Sequence, residues 1–319
     1  MTHLVETMAY VGATPWHGLG NALLAGQSID LWARQAGMDW EIHEAPVQFM
    51  IDNTDRVDTA ASFSGYKVLY RSDTHAPLSV VSQRFQVVQP RDILEFYRDL
   101  TELSGFELET AGVLKGGRKM WALAKTGQSA ALKGNDVTKG YVLLATACDG
   151  TLATTAQFTS IRVVCNNTLA IALAGNPGAV KVPHSTAFDP QAVKQQLGIS
   201  VSAWDTFMYR MRQLSERPVT SKEAISYFVR VFTCPYETAK RHVTQRSLLQ
   251  AMTLFDAENR GAQLASAKGT AYGLLNAVTT YVDHERRAKS TDHRLDSAWF
   301  GQGARLKQRA LDHALLLVS

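Results

Sequence analysis

The sequence predicts an α+β protein, a β-rich antiparallel sheet part followed by a helical C-terminal part. Up to about Val182 the chain holds short runs rich in Val, Tyr and Phe, bounded by Gly, Pro, Asn and Asp. After Pro190 the apolar residues recur every three or four positions instead, as in Val193, Leu197, Val201, Trp204, Met208, Met211 and Leu214. Strands first and helices afterwards, without alternation, is the α+β order. Ser185–Pro190 is the predicted boundary. The expected organisation is an irregular entry segment over 1–27, a mixed β-rich domain over 28–186 and a helical region packed on it over 187–319.

Gly12, Pro15, Gly18, Gly20 and Gly26 punctuate the entry segment. Ser28 is placed to cap a short helix from Ile29 that ends at Gly37. Pro46–Ile51, Tyr66–Tyr70, Leu78–Val81 and Phe85–Val88 read as strands. Asp92 to Leu103 carries Ile93, Leu94, Phe96, Tyr97 and Leu100 at helical spacing. A hairpin is expected from Phe106–Leu114 and Lys119–Lys125, turning at Lys115, Gly116, Gly117 and Arg118. A second pairs Tyr141–Cys148 with Thr151–Phe158 through the tight turn Asp149-Gly150. Ile161–Cys165 follows, and Asn166, Asn167 and Thr168 then read as the cap of a short apolar helix. In the C-terminal part, helices are expected over Ser221–Phe232, Glu237–Phe255, Ala271–Lys289 and Ala304–Val318.

Composition narrows the function classes. Apolar residues make up 45% and charged residues 19%, the balance of a packed globular chain. No stretch approaches the roughly 20 apolar residues that span a bilayer, so no membrane partner is expected. The first ten residues lack a basic start and an apolar core, which makes the cytoplasm the expected location. The three cysteines, Cys148, Cys165 and Cys234, form no CxxC pair and fit a reducing compartment. Cys148 and Cys165 read as small buried hydrophobes.

No phosphate-binding loop, GxSxG elbow or HExxH helix is present, and the nine histidines are scattered singly. Spacing therefore assembles no catalytic set, no metal site and no cofactor site, and no enzymatic activity is assigned. The net charge of +4, from 33 basic and 29 acidic residues, permits nucleic-acid binding without demanding it. Placement is more telling than the total. Lys115, Arg118 and Lys119 crowd a Gly-rich tip beside Trp121, where the cations could track phosphates while the indole stacks on a base. The plainer reading is a solvated turn with its Trp in the core. Arg162 before Asn166 and Asn167 could meet an anion at a strand-to-helix junction, or simply cap a packed helix. Arg286 and Arg287, with Lys289, cannot all face a core, so one helix face must be basic and wet.

Three blocks carry a resemblance. Met8 to Gly12 followed by Thr14-Pro15-Trp16-His17-Gly18-Leu19-Gly20, Arg162-Val163-Val164-Cys165-Asn166-Asn167-Thr168-Leu169, and Asn276-Ala277-Val278-Thr279 with Tyr281-Val282-Asp283-His284 resemble the blocks of a phage- and plasmid-like protein family with a domain of unknown function. The resemblance implies a mobile-element setting. The expected function is a phage- or plasmid-encoded nucleic-acid-binding protein, with single-stranded DNA the favoured partner, bound or annealed. The alternative is a non-enzymatic interaction protein that docks a host or phage protein through its helical half. Association with further copies of the chain is left open.

Overall fold

The structure is a computed structural model of the chain. It describes residues 7–12, 20–51, 59–104, 106–164, 167–171, 179–201, 203–233, 245–257 and 260–319. The elements in order are β1 (Met8–Val11), β2 (Asn21–Leu23), α1 (Ile29–Gln35), β3 (Ile42–Ile51), β4 (Thr59–Arg71), β5 (Pro77–Ser82), α2 (Pro90–Ser104), β6 (Glu107–Leu114), β7 (Lys119–Leu132), β8 (Asp136–Ala147), β9 (Thr154–Arg162), β10 (Asn167–Ala170) and β11 (Ala179–Val182). Helices follow: α3 (Pro190–Val201), α4 (Ala203–Glu216), α5 (Ser221–Phe232), α6 (Gln245–Phe255), α7 (Ala271–Thr280), α8 (Thr291–Trp299) and α9 (Gln302–Leu315). A π-helical turn, Tyr281–Glu285, continues α7. The α+β class is therefore observed. Among the described residues no helix is long and apolar enough to cross a membrane.

The strands form an eight-stranded sheet in the order β10-β9-β8-β7-β6-β1-β2, with β11 beside β9, and a three-stranded sheet β3-β4-β5. The pairs β6–β7 and β1–β6 are antiparallel, but β1 and β2 pair in parallel, so the large sheet is mixed. β1 and β2 also lie inside the segment expected to be irregular. Its glycines gave no strand signal, and three- or four-residue strands leave little pattern to read.

Two further expectations are corrected. Phe85–Val88 is not a strand: the Gln86 N–H donates to the His184 carbonyl at 2.6 Å, and the Phe85 ring stacks on His184 at 4.2 Å. The helix expected to open at Asn166–Thr168 is strand β10. Asn167 lies opposite Arg162 and Leu169 opposite Ser160, with Asn167 and Leu169 buried and Thr168 and Ala170 half-buried. That period of two belongs to a strand, and a short apolar run does not distinguish the alternatives by itself. The expected single stripe after Pro190 resolves into α3 and α4.

The chain forms two compact units that interleave in sequence. Unit 1 comprises residues 1–126, 142–156 and 179–196; unit 2 comprises 127–141, 157–178 and 197–319. The division cuts through β7, β8, β9 and α3. In unit 1, α1 buries Trp32 and Ala33, and α2 buries Ile93, Leu94, Phe96 and Tyr97. The Tyr97 hydroxyl lies 2.8 Å from the Ala122 carbonyl and 3.0 Å from that of Val142, tying α2 to two strands. Cys148 is buried as expected, and burial pushes its thiol up to about 12, so the thiolate that would react is not populated.

In unit 2, α7 is buried along its whole length and touches α4, α5, α6, α9 and β10. Helix α5 starts with a capping box: the Glu223 N–H donates to Thr220 Oγ1 at 3.3 Å, and the Thr220 N–H to Glu223 Oε2 at 2.8 Å. The Arg217 guanidinium, 2.6 Å from Glu223, holds that carboxyl down at about 2. A carboxyl lowered on folding stabilises fully above its ordinary value of 4.5 and loses that contribution as pH falls toward about 2. Thermal unfolding should therefore show Glu223→Gln melting below the wild type near neutral pH, with the gap narrowing across that acid window. A gap independent of pH would show that the carboxylate does not stabilise α5.

Candidate functional site

Two of the three sequence blocks meet inside unit 2. Asn167 and Thr168 enter from β10, and Asn276, Thr279, Thr280, Asp283 and His284 from α7 and its π-helical turn. Residues 279, 280, 283 and 284 fall one helical turn apart, so their side chains share a face. Asn167 Nδ2 donates to Thr279 Oγ1 at 2.9 Å and Thr280 Oγ1 at 2.8 Å, with the Asn276 carbonyl at 3.4 Å. Asn167 Oδ1 lies 3.2 Å from His284 Nε2. An amide oxygen only accepts, so His284 carries its proton on Nε2 toward Asn167.

Beside this lies a buried ion pair. Lys307 Nζ of α9 is 2.8 Å from Asp283 Oδ1 and 2.6 Å from Thr168 Oγ1. The Thr168 N–H donates to Asp283 Oδ2 at 2.8 Å. Both charged residues are about 95% buried, with 5% and 4% exposure. Burial lowers the Lys307 pKa from the ordinary lysine value, and the adjacent Asp283 opposes that fall. Neither charge would be tolerated there alone.

A second pair lies at the end of β9. The Arg162 guanidinium meets both oxygens of Asp136, with Nε–Oδ1 at 2.7 Å and Nη2–Oδ2 at 2.6 Å, and Nη2 also donates to the Gly261 carbonyl at 2.9 Å. The Ser266 hydroxyl donates to Asp136 Oδ2 at 2.5 Å. Arg162 stands 5.4 Å over the Tyr272 ring, whose phenol burial pushes up to about 12. A narrow recess lined by Thr138, Ser160, Arg162, Asn167, Tyr272 and Asn276 runs alongside. The bidentate carboxylate pairing and the Asn167 contacts account for these side chains as structure: they join strand, turn and helix. They do not form the anion-binding helix junction expected for Arg162 and Asn167. Asn166 and Cys165 lie outside the described residues.

The Gly-rich tip belongs to unit 1. Lys115 is half-buried at φ 56°, and Arg118 is exposed. Lys119 and Trp121 are 3% and 2% exposed. The stretch Lys119–Ala124 is buried at every position, as in a strand covered on both faces, so neither the cation nor the indole stays on the tip. The plainer reading of Trp121 therefore holds. Gly117 must stay a glycine: at φ 93° a Cβ would stand 2.9 Å from Trp40. Arg71 lies over Trp40 at 4.3 Å and pairs with Asp73 at 2.7 Å, which lowers the Asp73 pKa.

Arg286 and Arg287 are where a basic surface survives. Arg287, Lys289 and Arg305 are exposed, and Arg286 and Arg294 are half-buried. Arg286 donates to Ser297 Oγ at 3.2 Å and Gln302 Oε1 at 3.1 Å, and Arg294 donates to the His284 carbonyl. Arg294 and Arg305 belong to the run of seven basic against four acidic residues that the sequence shows between Asp283 and Arg309.

A protein-family model for a domain of unknown function, DUF932, matches residues 77–299, well over half of the chain, which therefore belongs to that family. No curated protein and no solved structure matches it.

Asp283→Ala would leave the Lys307 ammonium buried beside Thr168 alone. By denaturant unfolding this should cost about 3–5 kcal/mol, and adding Lys307→Met should recover much of the loss by removing the stranded charge. A cost under about 1 kcal/mol for the single change would show that the pair does not hold β10 to α9.

Proposed function

We propose that this DUF932 family member binds nucleic acid through its phosphate backbone, in the DNA metabolism of a phage or plasmid, with single-stranded DNA the favoured form. The observation that carries the reading is a set of cations two of whose neighbouring acids, Asp283 and Glu285, are paired with other cations. Asp283 is buried against Lys307, and Glu285 pairs with Arg260 at 3.2 Å. Arg286 and Arg294 are oriented by neutral oxygens, a hydroxyl, an amide and a carbonyl, which position a guanidinium without cancelling its charge.

The surface is local. Arg286 reaches from the end of the π-helical turn to Ser297 in α8 and Gln302 in α9, and Arg305 lies one helical turn beyond Gln302. With exposed Arg287 and Lys289 this places five cations around one corner of unit 2, against Asp292 and Asp296 in the same stretch. Such a surface suits sequence-independent phosphate contact, since no part of it presents a base-reading groove or strand. In unit 1, Arg118 is the exposed cation of the Gly-rich tip, without Lys119 or the Trp121 indole.

Fluorescence anisotropy with a labelled single-stranded oligonucleotide across a salt series tests the reading, with a duplex of the same sequence as the second arm. Log affinity should fall linearly with log salt, by roughly 0.7 per phosphate contacted on the single strand. Arg287→Ala with Lys289→Ala should flatten that slope by about 1 to 1.5 and leave thermal unfolding unchanged. Absence of binding at about 50 mM salt and micromolar protein would overturn the proposal.

A further inference from the structure

The three-stranded sheet of unit 1 is covered on one face around Ile42, Leu69 and Val81, while beyond Pro46 the β3–β4 hairpin is exposed on both faces, Met50 being 62% exposed opposite Ala60. Ile42, Leu69 and Val81 are buried on the covered side. Lys67 is buried on that side too and pairs with Glu44 at 2.7 Å. Strand alternation sends Val47, Phe49 and Ile51 of β3 to the other side, where Val47 lies opposite Phe63 and Phe49 opposite Ala61. Tyr66 joins them, its ring centroid 5.6 Å from that of Phe63, and Val80 lies opposite Val68 one strand further on. Phe49, Ile51, Phe63, Tyr66 and Val80 remain 48%, 43%, 52%, 47% and 59% exposed.

We propose that this face is the docking surface for a second copy of the chain, sheet against sheet across a two-fold axis. Charge selects that occupant. Pro46–Ile51 and Ala60–Tyr66 contain no charged residue. A two-fold axis sets a patch against itself, so any net charge would be doubled and repel, whereas a neutral apolar patch is its own complement. Among the described residues a nucleic-acid backbone finds no unpaired cation on this face, because Lys67 is turned to the covered side and paired with Glu44.

Area and shape agree with the assignment. A large aromatic side chain presents about 150–250 Å² when free, so these half-exposed residues together offer on the order of 500 Å² per copy. Two such faces approach the roughly 1,000 Å² that marks a specific interface. Aligned sheets pack about 10 Å apart with their side chains interdigitated, the arrangement that alternating Val, Phe and Ile provide. A monomer that left this face in water would carry an apolar patch at the upper end of what soluble monomers show.

Sedimentation velocity of the full chain, from about 1 to 100 µM, tests the proposal. The wild type should move from the mass of one chain, 35.1 kDa, toward twice that value. Phe49→Glu with Phe63→Glu should hold the protein at the single-chain mass throughout with an unchanged circular-dichroism melt, because both side chains are already half in water. Leu24→Glu, at a site 78% exposed and outside this sheet, should dimerise like the wild type. A wild type that stays at the single-chain mass at the highest concentration overturns the proposal, as does a double variant that still dimerises. Protection of Tyr66 by single-stranded DNA without any gain in protein mass would overturn it in favour of base stacking.

Discussion

The burial of α7 is the constraint from which the rest of unit 2 follows. A helix enclosed on every side should be apolar all round, yet this one carries Asn276, Thr279 and Thr280 and runs on into Asp283 and His284. Each unpaired polar group in that position would cost on the order of 1–3 kcal/mol. Strand β10 removes the cost with two residues. The Asn167 carboxamide serves two hydroxyls through its nitrogen and one imidazole through its oxygen, while Thr168 brings its N–H and hydroxyl to Asp283. An apolar side chain at residue 167 would strand several partners at once, which is why a four-residue strand can hold a helix this firmly.

The same arrangement shapes the surface. Drawing Asp283 inward requires a cation, and Lys307 supplies it from α9. The pair withdraws one charge of each sign, and the chain that follows carries Arg286, Arg287, Lys289 and Arg294 against Asp292. The π-helical turn contributes as well. The Arg286 N–H donates to the Tyr281 carbonyl at 2.7 Å, a bond spanning five residues, and the His284 carbonyl accepts the Arg294 guanidinium. Interior pairing and exterior charge are thus two consequences of one turn of chain, and a change at Asp283 is expected to disturb both.

Much of the fold was legible in the sequence because it rests on local signals. Ser28 caps α1 and the β6–β7 hairpin turns at Lys115–Arg118, where residue chemistry places them, whereas β8 and β9 are joined by residues 148–153 and not by the two-residue turn expected at Asp149-Gly150. The α+β order was legible for the same reason, since a period of two gives way to a period near 3.6 after Pro190. What was not legible depends on partners distant in sequence. Asn167 reads as a helix cap until α7, more than a hundred residues later, supplies its hydrogen-bond partners. Trp121 and Lys119 read as a stacking tip because a strand covered on both faces cannot be told from a surface hairpin by six residues alone.

The candidate site shows why a polar block inside an apolar run does not by itself announce a ligand. Such a block must be satisfied, and the satisfying groups come either from a bound molecule or from a second polar block in the same chain. Here the second block is present at the right spacing: Thr279, Thr280, Asp283 and His284 repeat at one helical turn, and β10 offers an amide, a hydroxyl and a backbone N–H to meet them. Arg162 follows the same logic, since Asp136 takes both ends of its guanidinium and Ser266 completes the carboxylate. Matching of demand and supply within the chain marks this interior as the framework. Function is then to be sought where demand is left over: at the cations that follow Asp283 and Glu285, whose carboxylates are paired with Lys307 and Arg260, and at an apolar sheet face left about half exposed.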